Sequence, residues 1–238
     1  MSRNIVIIGA SGTIGSSLVN IYKKNSDNQV YAFSRGYNYQ RDANLIMDDI
    51  DILDEGSMQK IVMKYFTESS IDILIIATGL LHNEIIFPEK SIREISLKKF
   101  QTVFNINTFA PALIFKHFLN SISRERKSIF AAFSARVGSI SDNKIGGWHS
   151  YRASKSALNM IIKNFSIEIS RKYKNNIIVG LHPGTVDSKL SKPFQKNVPT
   201  EKLFSGEYSA LKIVKVLDSL SIQDTGKCFD FNSLEVFP

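Results

Sequence analysis

With 238 residues, 43% of them hydrophobic, the chain can bury a sizeable core; its length suits one α/β domain or two small ones, and no apolar run is long enough to cross a membrane. The net charge of +8 comes from lysines scattered along the chain, with no basic arm and no basic stripe interleaved with aromatics, which argues against a nucleic-acid partner. The single cysteine, Cys228, excludes an internal disulfide, and residues 1–4 lead straight into an apolar run without a signal peptide, so a cytoplasmic location is expected.

Ile5-Val6-Ile7-Ile8 predicts a short buried strand. It runs into Gly9-Ala10-Ser11-Gly12-Thr13-Ile14-Gly15 and then a helical stretch over 16–22. Strand, glycine turn and helix in that order are the context of a dinucleotide-binding fingerprint. The glycines let the backbone approach a pyrophosphate, which the helix N-terminus stabilises. Gly9, Ser11, Gly12, Thr13, Ile14 and Gly15 are therefore candidate cofactor contacts; the plainer alternative is turn chemistry alone. The second strand, 30–33, ends in Ser34-Arg35. An NAD enzyme places an acid near this point to hold the ribose 2′-hydroxyl. Here a serine stands there and a guanidinium follows, suited to a bidentate hold on a 2′-phosphate. NADP(H) is favoured over NAD(H), unless Arg35 simply points to solvent.

A third strand is predicted over 45–47, a helix over 58–66 and a strand over 71–76 that leads into Ala77-Thr78-Gly79. An irregular stretch, 82–90, precedes a predicted helix over 109–122. The run 129–133 predicts a strand that ends at Ser134. In the next segment Tyr151 and Lys155 are four apart, ahead of apolar residues Ala157, Leu158, Ile161, Ile162, Phe165 and Ile169 at helical spacing. Residues i and i+4 share one helix face, so phenol and ammonium enter the same space. Lowering a tyrosine pKa by about 3 units from about 10 takes roughly 4 kcal/mol. One cation about 4 Å away, at an effective dielectric near 20, supplies about that much. The pair can thus exchange protons near neutrality, although Tyr-x-x-x-Lys also occurs on solvated helices. Strands at 177–181 and 228–231 follow, separated by Pro183-Gly184, an irregular segment 188–205 with Pro193 and Pro199, and a late helix.

These alternating units, with mostly continuous apolar strands, predict one doubly wound Rossmann-type α/β domain spanning 1–238, with about seven parallel strands flanked by helices. The motif residues follow or end strands, so one rim collects them, where such folds bind ligands. The four histidines have no metal-ligand spacing, and no metal is expected. Cys228 reads as a small buried residue of a late strand.

The ordered set of glycine turn, Asp51-Ile52, Ala77-Thr78-Gly79, Asn107, Ser134 with Gly138, Tyr151 with Lys155, and Pro183-Gly184 resembles the short-chain dehydrogenase/reductase family over nearly the whole chain. The stretch from Ser134 to Asn143, and the helix after Tyr151, look like the subgroup of C-signal and sniffer-type carbonyl reductases. The resemblance implies that Tyr151 is general acid in carbonyl reduction and base in alcohol oxidation. It implies that Lys155 lowers the pKa of Tyr151 and holds the nicotinamide ribose, and that Asn107 holds a water in a proton relay. Asp51 and Ile52 would contact adenine, with Asp51 as a helix cap the alternative; Ala77, Thr78 and Gly79 would line the cofactor; Pro183, Gly184, Thr185 and Val186 would lie along the nicotinamide. Residues 188–205 would fold over substrate as a lid, with a surface connection the alternative. Three departures stand out: Thr13 replaces an expected glycine, Ile76-Ala77-Thr78-Gly79 loses two amides, and Ala135 occupies the usual place of the substrate-orienting serine. Ser134 is the expected orienting hydroxyl, reaching the site through a bulge or one-residue shift, with Ser139 its competitor. Trp148 and His149 are close enough to Tyr151 to line the substrate cleft or to pack the loop.

The expected activity is NADP(H)-dependent hydride transfer between nicotinamide and a ketone, an aldehyde or a secondary alcohol. The alternative is a nucleotide-binding signalling or sensor protein of the same fold with little turnover. The apolar faces over 104–118 and 151–171 lead to a homodimer or homotetramer as the expected assembly.

Overall fold

The structure is a computed structural model and describes residues 2–238, the side chain at position 197 excepted. In chain order the elements are β1 (Arg3–Ile8), α1 (Thr13–Tyr22), β2 (Asn28–Phe33), β3 (Gln40–Asp42), β4 (Leu45–Asp48), α2 (Glu55–Tyr65), β5 (Ile73–Ile76), α3 (Leu97–Phe104), α4 (Ala110–Phe118), β6 (Ser128–Phe133), α5 (His149–Ser170), β7 (Asn176–His182), β8 (Thr185–Val186), β9 (Leu203–Phe204), α6 (Gly206–Ser219) and β10 (Cys228–Asp230).

Ile5, Val6, Ile7 and Ile8 are each 0% exposed, because both faces of β1 are covered. The sheet order is β10-β7-β6-β5-β1-β2-β4-β3. Seven of these strands run parallel, and β3 adds an antiparallel edge to β4. Side chains alternate between the two faces. Ile5, Ile7, Ile75 and Val179 pack with Leu18 of α1 and Ile213 of α6. Val6, Ile8, Leu74 and Ile178 pack on the other face with Met58 of α2, Ile114 of α4 and Leu158 of α5. The sheet therefore lies between two helical layers, and the chain changes direction across it between β1 and β5, the switch point at which open α/β sheets bind ligands.

The sequence expectations hold for the number of parallel strands and for the presence of α1, α2 and α5. Three elements differ. The strand expected over 71–76 begins at Ile73, and Ile71 instead makes an isolated bridge with Ile122. The helix expected over 109–122 is the second part of a longer path: α3, then a π-helical turn at Asn105–Phe109, then α4 with Pro111 in its first turn. Ser96 starts α3 by accepting from the Lys99 amide. β3 is polar and fully exposed, which is why no hydrophobic period announced it. No helix among the described residues is long and apolar enough to cross a membrane.

Candidate active site

Because the strands are parallel, Gly9, Ser34, Ala77, Ser134 and Pro183 emerge on one rim of the sheet. The turn after β1 is a backbone cradle. Gly9 has φ +88°, and a Cβ there would meet Thr78 Cγ2 at 2.9 Å. A Cβ on Gly15 would lie 2.2 Å from the Gly9 carbonyl oxygen. Only glycine fits at either position. Thr13, where a third glycine was expected, turns instead toward α6, and Gly206 makes room for it: a Cβ there would lie 2.6 Å from Thr13 Cγ2. Thr78 Oγ1 is buried without a hydrogen-bond partner among the described residues, next to this turn.

Ser34 is buried and shares a 2.6 Å hydrogen bond with Ser11, joining the second strand to the glycine turn. Arg35 is exposed, and its guanidinium makes no hydrogen bond or ion pair to the described residues. The Asp49 carboxylate sits close by, accepting from the Gly36 amide at 2.5 Å. Asp51 accepts from the Leu53 amide in a tight turn, while the cap of α2 is Asp54. Ile52 packs against the sheet face covered by α2, α4 and α5. Together these groups place glycine backbone, hydroxyls and one exposed guanidinium on the same rim of the sheet.

Tyr151 and Lys155 lie on the buried face of α5. Lys155 Nζ is 5.9 Å from the Tyr151 ring centroid and donates to the Phe133 carbonyl at 2.7 Å. A Cβ on Gly79 would lie 3.8 Å from both Lys155 Nζ and Asn107 Oδ1, so these three residues converge. Burial pushes the Lys155 ammonium down to about 8 and the Tyr151 phenol up to about 12. The expected lowering of the Tyr151 pKa by Lys155 is therefore not the governing effect in this structure. Desolvation dominates, and the ammonium is engaged by a backbone carbonyl. A phenol held protonated is the form that donates to a carbonyl oxygen.

Asn107 is fully buried in the π-helical turn. Its Oδ1 accepts from the Leu80 amide at 2.7 Å, and its Nδ2 donates to the Leu80 carbonyl at 2.8 Å and to Ser154 Oγ at 3.1 Å. The side chain thus ties the segment after β5 to α5 at Ser154, next to Lys155.

Ser134 does not reach the site as expected. The β6–β7 ladder runs unbroken through Phe133, and the Ser134 amide continues it to the Leu181 carbonyl, so there is no bulge. Strand alternation then sends the hydroxyl toward α5, where it donates to Asn159 Oδ1 at 2.6 Å, close to the buried Cys228 thiol. Ser139, the competitor, is also buried and committed: its hydroxyl pairs with Ser141 and accepts from the Asp142 amide. Ala135 is the residue that packs against Leu81, Ile86, Val103 and Tyr151. Pro183 and Gly184 follow β7; Gly184 has φ +80° with the Phe204 ring where a Cβ would stand, and Thr185 and Val186 pair with β9.

A cavity of about 700 Å³ opens beside this rim, lined by Gly79, His82, Ile85, Phe87, Leu190 and Pro193 among others. Leu190 also packs on the cluster that contains Tyr151, so cavity and Tyr151 adjoin. Aromatic contacts continue outward: Trp148 to Tyr151 at 6.2 Å, Trp148 to Phe194 at 5.0 Å, Phe194 to His82 at 5.5 Å and His82 to Phe87 at 5.7 Å. Trp148 therefore packs on Tyr151 and Phe194, and Leu190, which like Phe194 the sequence did not single out, lines the cavity. Their only sequence signal was the two prolines marking an irregular segment. Among the described residues no cluster of three or more His, Cys, Asp or Glu could hold a metal ion.

The short chain dehydrogenase family profile matches residues 3–199. C-signal from Myxococcus xanthus is 29% identical over 133 residues, covering 56% of this chain and 75% of that protein. The NADPH-bound carbonyl reductase from chicken fatty liver superposes with a TM-score of 0.86 at 24% identity, over 100% of this chain and 99% of that one. Carbonyl reductase Sniffer of Drosophila melanogaster gives a TM-score of 0.84 at 18% identity over the full length of both chains. At these identities the structural likeness is one of fold, while the profile match extends from the first strand to the segment beyond β8. The chain belongs to the short chain dehydrogenase family.

Proposed function

We propose that the protein is an NADP(H)-dependent oxidoreductase that reduces a ketone or aldehyde, with Tyr151 as the proton donor. The observation that carries this reading is the Tyr151–Lys155 pair, buried on one helix face beside an apolar cavity and across from the glycine cradle. Gly9, Gly12, Gly15, Ser11, Thr13 and Ile14 would hold the pyrophosphate end, Ser34 and Arg35 the 2′-phosphate, and Asp51, Ile52, Ala77 and Thr78 the adenosine. Gly79, Lys155 and residues 183–186 would hold the nicotinamide end. Bound NADPH supplies the hydride. Tyr151 gives its proton to the carbonyl oxygen as charge develops there. Lys155 orients the cofactor's ribose, and Asn107 fixes the geometry around Lys155. Residues 188–205 act as a lid, with Phe194 and Leu190 excluding water from the cleft. The NADPH in the chicken carbonyl reductase supports the cofactor choice, as does the unengaged guanidinium of Arg35.

One observation favours the second reading, a nucleotide-binding sensor or signalling protein with little turnover. Ala135 leaves no hydroxyl at the place where one would orient substrate, and the relative from M. xanthus is a C-signal. Two experiments test the proposal together. Calorimetric titration should show NADPH bound more tightly than NADH, a preference that Arg35→Ala narrows. NADPH consumption with a panel of apolar ketones and aldehydes should show turnover with alcohol as product. Cofactor binding without turnover on any carbonyl would select the sensor reading.

A further inference from the structure

The helix that carries Tyr151 starts abruptly. Gly146, Gly147 and Trp148 have φ of +70°, +64° and +51°. Three left-handed residues in a row are unusual, and a tryptophan in that region is strained. Trp148 occupies the cap position of α5 and supplies no capping side chain. The Ser150 amide, in the first turn of α5, is satisfied from elsewhere, by Glu89 in the irregular segment 82–90. Glu89 is fully buried. Its Oε2 accepts from both the Ser150 amide, at 3.1 Å, and the Ser150 hydroxyl, at 3.0 Å. Its backbone carbonyl accepts from the Trp148 amide at 2.5 Å. One residue thus grips α5 at its cap residue and again within its first turn, and a Cβ on Gly147 would come within 3.4 Å of the same carbonyl.

No ion pair neutralises this carboxylate among the described residues. The positive end of the α5 macrodipole, with two donors, is what it faces. Its other oxygen, Oε1, is buried without a hydrogen-bond partner among the described residues. A buried carboxylate left half satisfied is costly, and an apolar loop residue would avoid that cost. Such a group persists where geometry is worth more than stability. Tyr151 follows Ser150 directly, and Trp148 packs on both Tyr151 and Phe194 of the lid.

We propose that Glu89 is a positioning residue: by capping α5 and holding Trp148 in its left-handed conformation, it sets the phenol of Tyr151 and the surface on which the lid docks. The catalytic consequence rests on the reductase reading above, whereas the structural consequence can be read without turnover. Trp148 is the chain's only tryptophan, so its emission reports this junction directly.

The test compares wild type, Glu89→Ala, Glu89→Gln and Ser150→Ala as full chains. For Glu89→Ala, kcat should fall roughly 10- to 100-fold, the scale of a misplaced catalytic group. KM and Kd for NADPH should stay within about 3-fold, since the glycine cradle is untouched, and Trp148 emission should shift to the red. Glu89→Gln keeps a carbonyl acceptor for Ser150 and should restore both rate and emission to near wild type. Ser150→Ala removes one of the two side-chain bonds and should move rate and emission the same way, by less; it carries the test if Glu89→Ala does not fold. Wild-type emission in Glu89→Ala, or in Ser150→Ala if that variant carries the test, overturns the proposal. So does a Glu89→Gln variant as slow as Glu89→Ala with unchanged emission, which would make the charge and not the clamp responsible. If wild type itself turns over no carbonyl, the reductase reading fails and the emission arm still decides the clamp.

Discussion

Lys155 carries two demands that compete for its proton. In the proposed role it is an ammonium that holds a polyanionic cofactor, yet burial lowers its pKa to about 8. Below that pH the charge is present; above it the free protein holds a neutral amine. Binding NADPH draws the group back to its charged form, so the complex holds more protons than the free protein above pH 8. Affinity should therefore be level on the acid side of about 8 and weaken as pH rises through it, by up to tenfold per unit for one linked proton. Titration of NADPH between pH 6.5 and 9.5 measures this, and Lys155→Met should remove the slope. The second residue-level prediction concerns positions 134 and 135. The Ser134 hydroxyl is bonded to Asn159, so Ser134→Ala should leave kcat within a few-fold. Ala135→Ser would place a hydroxyl against the cluster containing Tyr151 and should raise kcat by about 10- to 1000-fold, the range associated with one oxyanion-type hydrogen bond. Steady-state rates of the two variants check both statements; a large loss in Ser134→Ala would restore the serine to the site. At this scale the sequence disclosed which residues meet but not which way they point. Tyr151, Lys155, Asn107 and the glycines are legible from spacing and order. The direction of Ser134 depends on strand alternation persisting one residue past β6, and Glu89 meets α5 through a contact across 61 positions of chain.

The glycine turn and α6 show how an element absorbs a change in another. Thr13 stands where a glycine was expected, and Gly206, at the start of α6, lacks the side chain that would collide with it. Gly206→Ala would bring a methyl group within 2.6 Å of Thr13 Cγ2 and 2.9 Å of its carbonyl. Overpacking of this kind costs about 1–3 kcal/mol. The variant should melt earlier and bind NADPH more weakly, and adding Thr13→Gly should recover part of both; thermal melts with and without NADPH check it. Strands with continuous apolar runs were readable because burial on both faces leaves an unbroken signal. β3, with Gln40, Arg41 and Asp42 all exposed, carries none. The α3 helix was missed because only Val103 of its residues is fully buried and its sequence, Leu97–Phe104, mixes lysines with aromatics.

At the scale of the molecule, the motif rim is the direct result of seven parallel strands, and so was legible as soon as the βα alternation was. The exterior was less so. Phe109, Met160 and Ile167 are about half exposed, at 50%, 62% and 47%. Apolar side chains exposed on the π-turn and α5 fit a surface that a second copy covers. Light scattering at micromolar concentration should give at least a dimer mass, and Met160→Lys with Ile167→Lys should shift it toward monomer; a monomer for wild type would contradict this. The account as a whole stands on the phenol of Tyr151. In single-turnover reactions with NADPH and a carbonyl substrate of the wild type, Tyr151→Phe should lose the rate almost entirely while binding NADPH within a few-fold of wild type, since only the proton donor is removed. A near-wild-type rate in Tyr151→Phe would contradict the mechanism.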